Sequence, residues 1–191
     1  MLNLVLSQET PEEIYQWLIL DSRGTPASDL LARMLASWSL GFGALPAYLG
    51  LSAFEFRRML QHHFPAVGPD GLTGSEEWPD LQRWEEMADL RKLLMQNRSG
   101  DDADKPWLTE IVIAGCMGND HLWQDLGLWN RADLSRLMHD NFGPLASRNV
   151  KDMKWKKFLY KQLCEAEGIY TCRAPSCEAC IDYQNCYGPE E

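Results

Sequence analysis

At 191 residues with 45% hydrophobic content, the chain is long enough for one substantial domain with a packed core. Its net charge of -10 disfavours nucleic-acid binding, because an acidic surface repels a phosphate backbone. No apolar run approaches the roughly 18–20 residues that a membrane-spanning helix needs, and the N-terminus shows no secretory signal. We therefore expect a cytoplasmic protein, in a reducing compartment where disulfides are disfavoured.

The first half of the chain is predicted to be helical. Thr10-Pro-Glu-Glu13 is a capping box with proline at the first helical position, which predicts a helix ending at about Leu20. Apolar residues at helical spacing predict a second helix from Ser28 or Asp29. Ser52-Ala-Phe-Glu55 is another capping box, and a charged amphipathic helix is expected to end at about Gln96. These patterns predict an all-α helical bundle.

The second half echoes the first. Tyr48-Leu-Gly-Leu51 is matched by Asp125-Leu-Gly-Leu128 and, at a near-constant offset, Arg58-Met-Leu60 is matched by Arg136-Leu-Met138. We infer two related helical repeats, at about residues 28–65 and 105–143.

The second repeat carries Cys116 and His121 where the first has Ser39 and Ala44. Taken singly, Cys116 is more simply a small buried residue and His121 a polar residue in a short helix. Together, beside four clustered thiols, they become secondary candidates for metal ligands. The other histidines, His62-His63 and His139, are expected to be solvated or capping residues.

The last helix is expected to begin near Asn149, a favourable N-cap residue, and to end before Gly168. It holds the only concentrated basic segment of the chain, with Lys151, Lys154, Lys156, Lys157 and Lys161. Lysines on a helix usually form a solvated face. Because this helix leads into Cys164 and a cysteine-rich tail, its lysines are also suited to hold an anionic cluster or an oxyanion.

After a helical domain over residues 1–168, residues 169–191 are predicted to form an irregular, metal-binding tail. Its four cysteines are spaced C-x4-C-x2-C-x5-C, at Cys172, Cys177, Cys180 and Cys186. Thiolates select zinc, copper(I) or iron–sulfur clusters. A structural zinc site usually shows two C-x2-C pairs separated by a longer spacer, whereas this tail has one pair, so the spacing favours a cluster over zinc. A zinc-stabilised helical interaction protein and an iron–sulfur electron-transfer module remain alternatives.

This tail, which follows DMKWKKFLYKQLCEAEGIYTC, and the segment CMGNDHLWQDLGL resemble the NifQ family of nitrogen-fixation proteins. The resemblance extends from about Ala36 to the end of the chain. It implies a carrier rather than an enzyme. Such a carrier would hold a molybdenum–iron–sulfur cluster, or an iron–sulfur precursor of it, and donate molybdenum for the iron–molybdenum cofactor of nitrogenase.

The resemblance also implies which residues and partners take part. The four tail cysteines, Cys172, Cys177, Cys180 and Cys186, match the family's cysteine motif. Cys164, Cys116 and His121 lie in segments that match the family and are candidates for further metal ligands. The implied partners are molybdate, the cofactor scaffold NifEN and the nitrogenase reductase NifH.

Overall fold

The computed structural model describes residues 10–68, 72, 74, 83–100, 105–168 and 183–190. Within these residues the protein is all-helical and has no strand, which confirms the predicted all-α class. The helices are α1 (Pro11–Leu20), α2 (Ser28–Ser39), α3 (Ala53–His63), α4 (Trp84–Gln96), α5 (Lys105–Cys116), α6 (Leu122–Asp125), α7 (Arg131–Asn141), α8 (Gly143–Ala146), α9 (Trp155–Ala166) and α10 (Tyr183–Tyr187), with a short 3-10 helix, Ala47–Gly50, between α2 and α3. None of the described helices is both long enough and apolar enough to cross a membrane.

Local side-chain contacts place the start of α1 and α3 where the sequence predicts them. The Thr10 hydroxyl accepts from the backbone N–H of Glu13 at 3.3 Å, and the Glu13 carboxylate accepts from the backbone N–H of Thr10 at 2.8 Å. The Ser52 hydroxyl likewise accepts from the backbone N–H of Glu55 at 3.2 Å. These contacts pair amide groups that the first turn of a helix leaves without helical partners.

The last long helix begins later than the sequence predicts. It starts at Trp155 rather than near Asn149. The Asn149 side chain instead closes a turn, accepting from the backbone N–H of Met153 at 2.8 Å and donating to its carbonyl at 2.9 Å. Within this turn Asp152 has a left-handed φ of 52°. Asparagine favours such turns as readily as helix caps, so its presence alone could not locate the helix start.

The core is centred on α2 and α5. Residues on most faces of α5 are buried, including Leu108, Ile111, Val112, Ile113 and Ala114. A helix that is buried on most faces lies inside the protein rather than along its surface. The 3-10 helix approaches α5 so closely that a Cβ on Gly50 would lie 2.7 Å from the Cβ of Ala114.

Partly buried ion pairs join α2 to α7. Arg33 of α2 contacts Asp133 of α7 at 3.3 Å, and its guanidinium lies 4.7 Å from the ring centroid of Trp129. Asp29 of α2 pairs with Arg136 of α7. The two segments that contain these helices share the order helix, short helix, helix, and the repeat itself stays a prediction.

His63, at the end of α3, is fully buried rather than solvated or capping as predicted. Its Nδ1 lies 2.9 Å from the Thr25 hydroxyl and 3.2 Å from the Ser28 hydroxyl. Burial, reinforced by the neighbouring His62, lowers the pKa of His63 from 6.5 to about 4. The imidazole is therefore neutral in the folded protein at neutral pH.

His63 should make stability depend on pH. Between pH 6.5 and about 4 the unfolded chain binds a proton at this residue that the folded chain does not bind, so the free energy of unfolding falls as the pH drops through that window. The loss attributable to one such group is about 3 kcal/mol. Urea unfolding between pH 4 and 7 should show a shallower pH dependence for His63→Gln than for the wild type, and equal slopes would contradict this explanation.

Candidate metal centre

Three of the four tail cysteines, Cys172, Cys177 and Cys180, lie outside the described residues. The fourth, Cys186, lies in α10, is half-buried and packs against the core. Its carbonyl accepts from the backbone N–H of Lys154 at 2.8 Å. The end of the tail is therefore placed beside the start of α9.

Cys164 lies near the other end of α9 and is also half-buried. Ten residues of chain separate it from Lys154, which corresponds to roughly 15 Å along a helix axis. Cys164 and Cys186 thus lie towards opposite ends of α9. Among the residues that the structure describes, no three His, Cys, Asp or Glu side chains are grouped closely enough to hold one metal ion.

Cys116 ends α5 and is 1% exposed. Burial raises the pKa of its thiol from 9.0 to about 12, against a smaller opposing effect of Lys156. The nearby carboxylates of Glu86 and Asp125 raise it further. In this arrangement the side chain is a neutral thiol, whereas a metal ligand is a thiolate.

On one side of Cys116, Arg83 joins three elements. Its guanidinium pairs with Glu86, donates to the carbonyl of Met117 at 2.8 Å and donates to the Tyr160 hydroxyl at 3.1 Å. Tyr160 also donates to Glu86. Burial, and then this bond to Glu86, raise the pKa of Tyr160, so its hydroxyl stays protonated.

On the other side of Cys116, Lys156 of α9 pairs with the buried carboxylate of Asp125. The same ammonium donates to the carbonyl of Gly118 at 2.8 Å, and Asp125 also accepts from the backbone N–H of Asp120 at 3.1 Å. A Cβ on Gly118 would lie 2.4 Å from the Asp125 carboxylate, so this close approach requires glycine. The Lys156 ammonium therefore bonds to the connector after α5 and is largely shielded from solvent.

His121 lies in the same connector, immediately before α6, and faces the end of the tail. Its Nδ1 is 3.8 Å from the Glu190 carboxylate, whose side chain is only 3% exposed. The Arg131 Nε lies 3.4 Å from the other Glu190 oxygen, at ion-pair distance without the alignment of a hydrogen bond. Arg131 also donates to Asp152, at 2.5 Å to its carboxylate. We call the group of Glu190, Arg131 and His121 the tail anchor.

No sequence pattern points to the residues of the tail anchor other than His121, nor to the pairs around Cys116. In the sequence Lys156 is one of several lysines of a basic segment. Glu86 and Tyr160 stand 74 residues apart in the chain, and no spacing rule connects residues at that separation. These contacts depend on how distant helices pack.

Comparison with known proteins assigns the chain to a family. The sequence model of NifQ matches residues 30–188, a range that includes all four tail cysteines. The chain belongs to the NifQ family. A protein called NifQ from Azotobacter vinelandii is 44% identical over 170 residues, which cover 84% of this chain and 87% of that protein.

Other NifQ relatives span the chain to a similar extent. NifQ from Klebsiella pneumoniae is 34% identical over 85% of this chain and 99% of its own length. NifQ from Rhodobacter capsulatus is 32% identical over 84% of this chain and 87% of its own length. No solved structure gives a significant match. Membership of the NifQ family implies a role in nitrogen fixation and is typical of an accessory protein.

The burial of Cys116 predicts slow reaction with thiol reagents. In the metal-free folded protein, iodoacetamide should modify Cys116 at least roughly a hundredfold more slowly than Cys164, because only an exposed thiolate reacts. Peptide mass spectrometry after timed labelling measures both rates in one sample. Labelling in urea serves as the control and should remove the difference. Equal rates in the folded protein would show that Cys116 is accessible.

The tail anchor predicts a local effect of Glu190→Gln. Removing the carboxylate charge leaves Arg131 and His121 without this partner, which should loosen α10 by about 1–2 kcal/mol. Amide hydrogen exchange in residues 183–190 should then be roughly tenfold faster, with little change in global stability. Asp152→Asn is the matched control, because Asp152 is the exposed partner of the same arginine and should leave that exchange unchanged. Unchanged exchange in Glu190→Gln would show that the anchor does not hold the tail.

Proposed function

We propose that the protein carries a molybdenum–iron–sulfur cluster and donates molybdenum for assembly of the iron–molybdenum cofactor of nitrogenase. The cluster is cargo, held by Cys172, Cys177, Cys180 and Cys186, and an iron–sulfur cluster is its precursor. The protein acts as a carrier and catalyses no reaction of its own. Molybdate is the source of the metal, and NifEN and NifH are the partners to which it is delivered.

The observation that carries this proposal is that membership of the NifQ family extends through the cysteine tail. The family match ends at residue 188, beyond the last cysteine at 186. Four thiolates within fifteen residues are soft ligands, enough to provide one ligand for each metal of a four-metal cluster. Cys186 fits this donor set, because its half-buried side chain remains accessible while its backbone is held by Lys154.

A carrier must bind its cargo firmly and still release it, which additional ligands make easier. Among the candidates, Cys164 is half-buried near the C-terminal end of α9, and His121 contacts the tail through Glu190. Both could replace a tail thiolate on molybdenum without opening the core. Cys116 would first have to lose its proton and open the ion pairs around it. We therefore propose Cys164 and His121 as exchange ligands ahead of Cys116.

The proposal predicts metal content that depends on the tail. After anaerobic reconstitution with iron, sulfide and molybdate, the wild type should contain all three elements and show a paramagnetic cluster. Cys172→Ala, Cys177→Ala, Cys180→Ala and Cys186→Ala should each lose most of the iron and molybdenum, because a cluster with a missing corner ligand is exposed to solvent. Metal and sulfide analysis with paramagnetic resonance measures this. Circular dichroism should show that the helices remain.

Cys116→Ala is the comparison variant, since it removes a thiol from the core and leaves the tail unchanged. It should retain the metal content of the wild type. Full metal content in the four tail variants would refute the ligand assignment. One zinc without sulfide would support the zinc-stabilised interaction protein, and iron and sulfide without molybdenum would support the electron-transfer module.

A further inference from the structure

A cavity of about 430 Å³ lies on the face of α9 away from Cys116. The turn before α9 forms one wall, α9 forms a second, and Tyr187 of α10 closes it on the tail side. Three cations line it, Arg148, Lys151 and Lys161, against a single carboxylate, Glu165. Its lining therefore carries a net charge of +2.

This charge stands out in an acidic protein. Residues 148–161 contain six Lys and Arg residues and one Asp, a net charge of +5, so the rest of the chain carries -15. The rest of the chain is acidic on balance, whereas this segment is basic. A concave, partly apolar wall focuses such a field more strongly than a flat, solvated surface does.

Two of the cations have donors available for a ligand. Arg148 donates to the Asn97 side chain at 2.9 Å, which uses one of its five N–H groups and orients the guanidinium. Lys161 contacts Glu165 at 3.5 Å, but their side chains are 43% and 49% exposed. A pair that is so exposed is weak, so the ammonium can turn towards an anion.

The neutral side-chain amides that line the cavity already make hydrogen bonds within the protein. The Asn149 amide bonds to the backbone of Met153, and the Gln162 amide donates to Glu165 at 2.7 Å. Val150, Met153 and Phe158 supply apolar wall. Recognition in this cavity thus depends on charge rather than on neutral hydrogen-bonding groups, which selects an anion over a neutral polar molecule. The volume exceeds that of one small oxyanion, so such an anion would keep part of its water shell.

We propose that this cavity binds a small tetrahedral oxyanion of charge -2, the chemical class that contains molybdate, sulfate and hydrogen phosphate. Resting on the proposed function, the ligand is molybdate, held before its molybdenum reaches the tail. Tyr187 lines the cavity and is the neighbour of Cys186, so the bound anion lies next to the last tail cysteine. The step is binding alone, with no bond to molybdenum broken and no electron transferred.

Equilibrium dialysis of the metal-free, full chain against molybdate tests this cavity at physiological ionic strength, where the Debye length is about 8 Å. Arg148→Gln and Lys161→Gln should each weaken molybdate binding by roughly tenfold, since each removes a charge that faces the anion. Lys157→Gln is the matched control, because it removes the same charge from the same helix outside the cavity and should change binding less than about twofold. Circular dichroism checks that each variant is folded.

Several results would overturn the proposal. Absence of molybdate binding to the wild type would do so, as would equal losses in the two cavity variants and the control. Competing sulfate and phosphate distinguish the anions: if either displaces molybdate at equal concentration, the oxyanion class stands and the assignment to molybdate is wrong.

Cys180→Ala separates this cavity from the cluster. It should bind molybdate as the wild type does, because the cavity lies outside the cysteine motif. Loss of molybdate binding in this variant would place the anion on the tail and refute the cavity. Normal molybdate binding by a wild type that cannot be loaded with a cluster would refute the proposed function and leave the cavity in place.

Discussion

The ion pair between Lys156 and Asp125 fixes α9 against the connector that follows α5. Asp125 is buried, and a buried carboxylate is costly unless charge and hydrogen bonds compensate it. Lys156 supplies the charge and the backbone of Asp120 supplies a further donor. Gly118 leaves room for the carboxylate because it has no side chain. The backbone contact to α10, the position of Cys164 and the charged cavity all lie on α9 or next to it, so they depend on how this helix is held.

With α9 held in this way, its two faces serve different purposes. One face carries Lys156 and Tyr160, which interact electrostatically with the buried Cys116. The other carries Lys161 and lines the charged cavity. The backbone just before the helix binds α10 through Lys154, and Cys164 lies close to its last turn. The lysines that the sequence shows as one basic set are therefore divided by the fold between a structural ion pair and an anion-attracting surface.

A structural feature could be predicted from the sequence when the residues that produce it lie close together in the chain. The starts of α1 and α3 were predictable because Thr10 and Ser52 bond to residues only three positions away. The start of α9 was not, because Asn149 can cap a helix or close a turn with Met153, and both choices satisfy local rules. The burial of His63 was not predictable, because the residues that it contacts, such as Thr25 and Ser28, are far away in the chain.

The candidate site, like the fold, could be predicted from the sequence only where neighbouring residues in the chain determine it. The spacing of the tail cysteines indicates soft-metal chemistry without any knowledge of the fold. The protonation state of Cys116 does not follow from spacing, because it depends first on burial in the core and then on Lys156, Glu86 and Asp125, which lie on three separate segments. The cavity also requires residues from distant parts of the chain, since Tyr187 of α10 lines it together with Lys161 of α9. The cysteine spacing predicts the type of metal ligand, whereas packing determines which of the candidate ligands are accessible.

The tail anchor gives the proposed carrier a means of coupling attachment of the tail to ligand exchange. Glu190 is nearly buried between Arg131 and His121, four positions after Cys186. While the carboxylate occupies that place, the Nδ1 side of the His121 ring faces an anion rather than a metal. If the end of the tail moves away, the same movement removes Glu190 from His121 and shifts Cys186 with it. If Cys186 holds the cargo as proposed, one displacement would free an imidazole and move a tail ligand together.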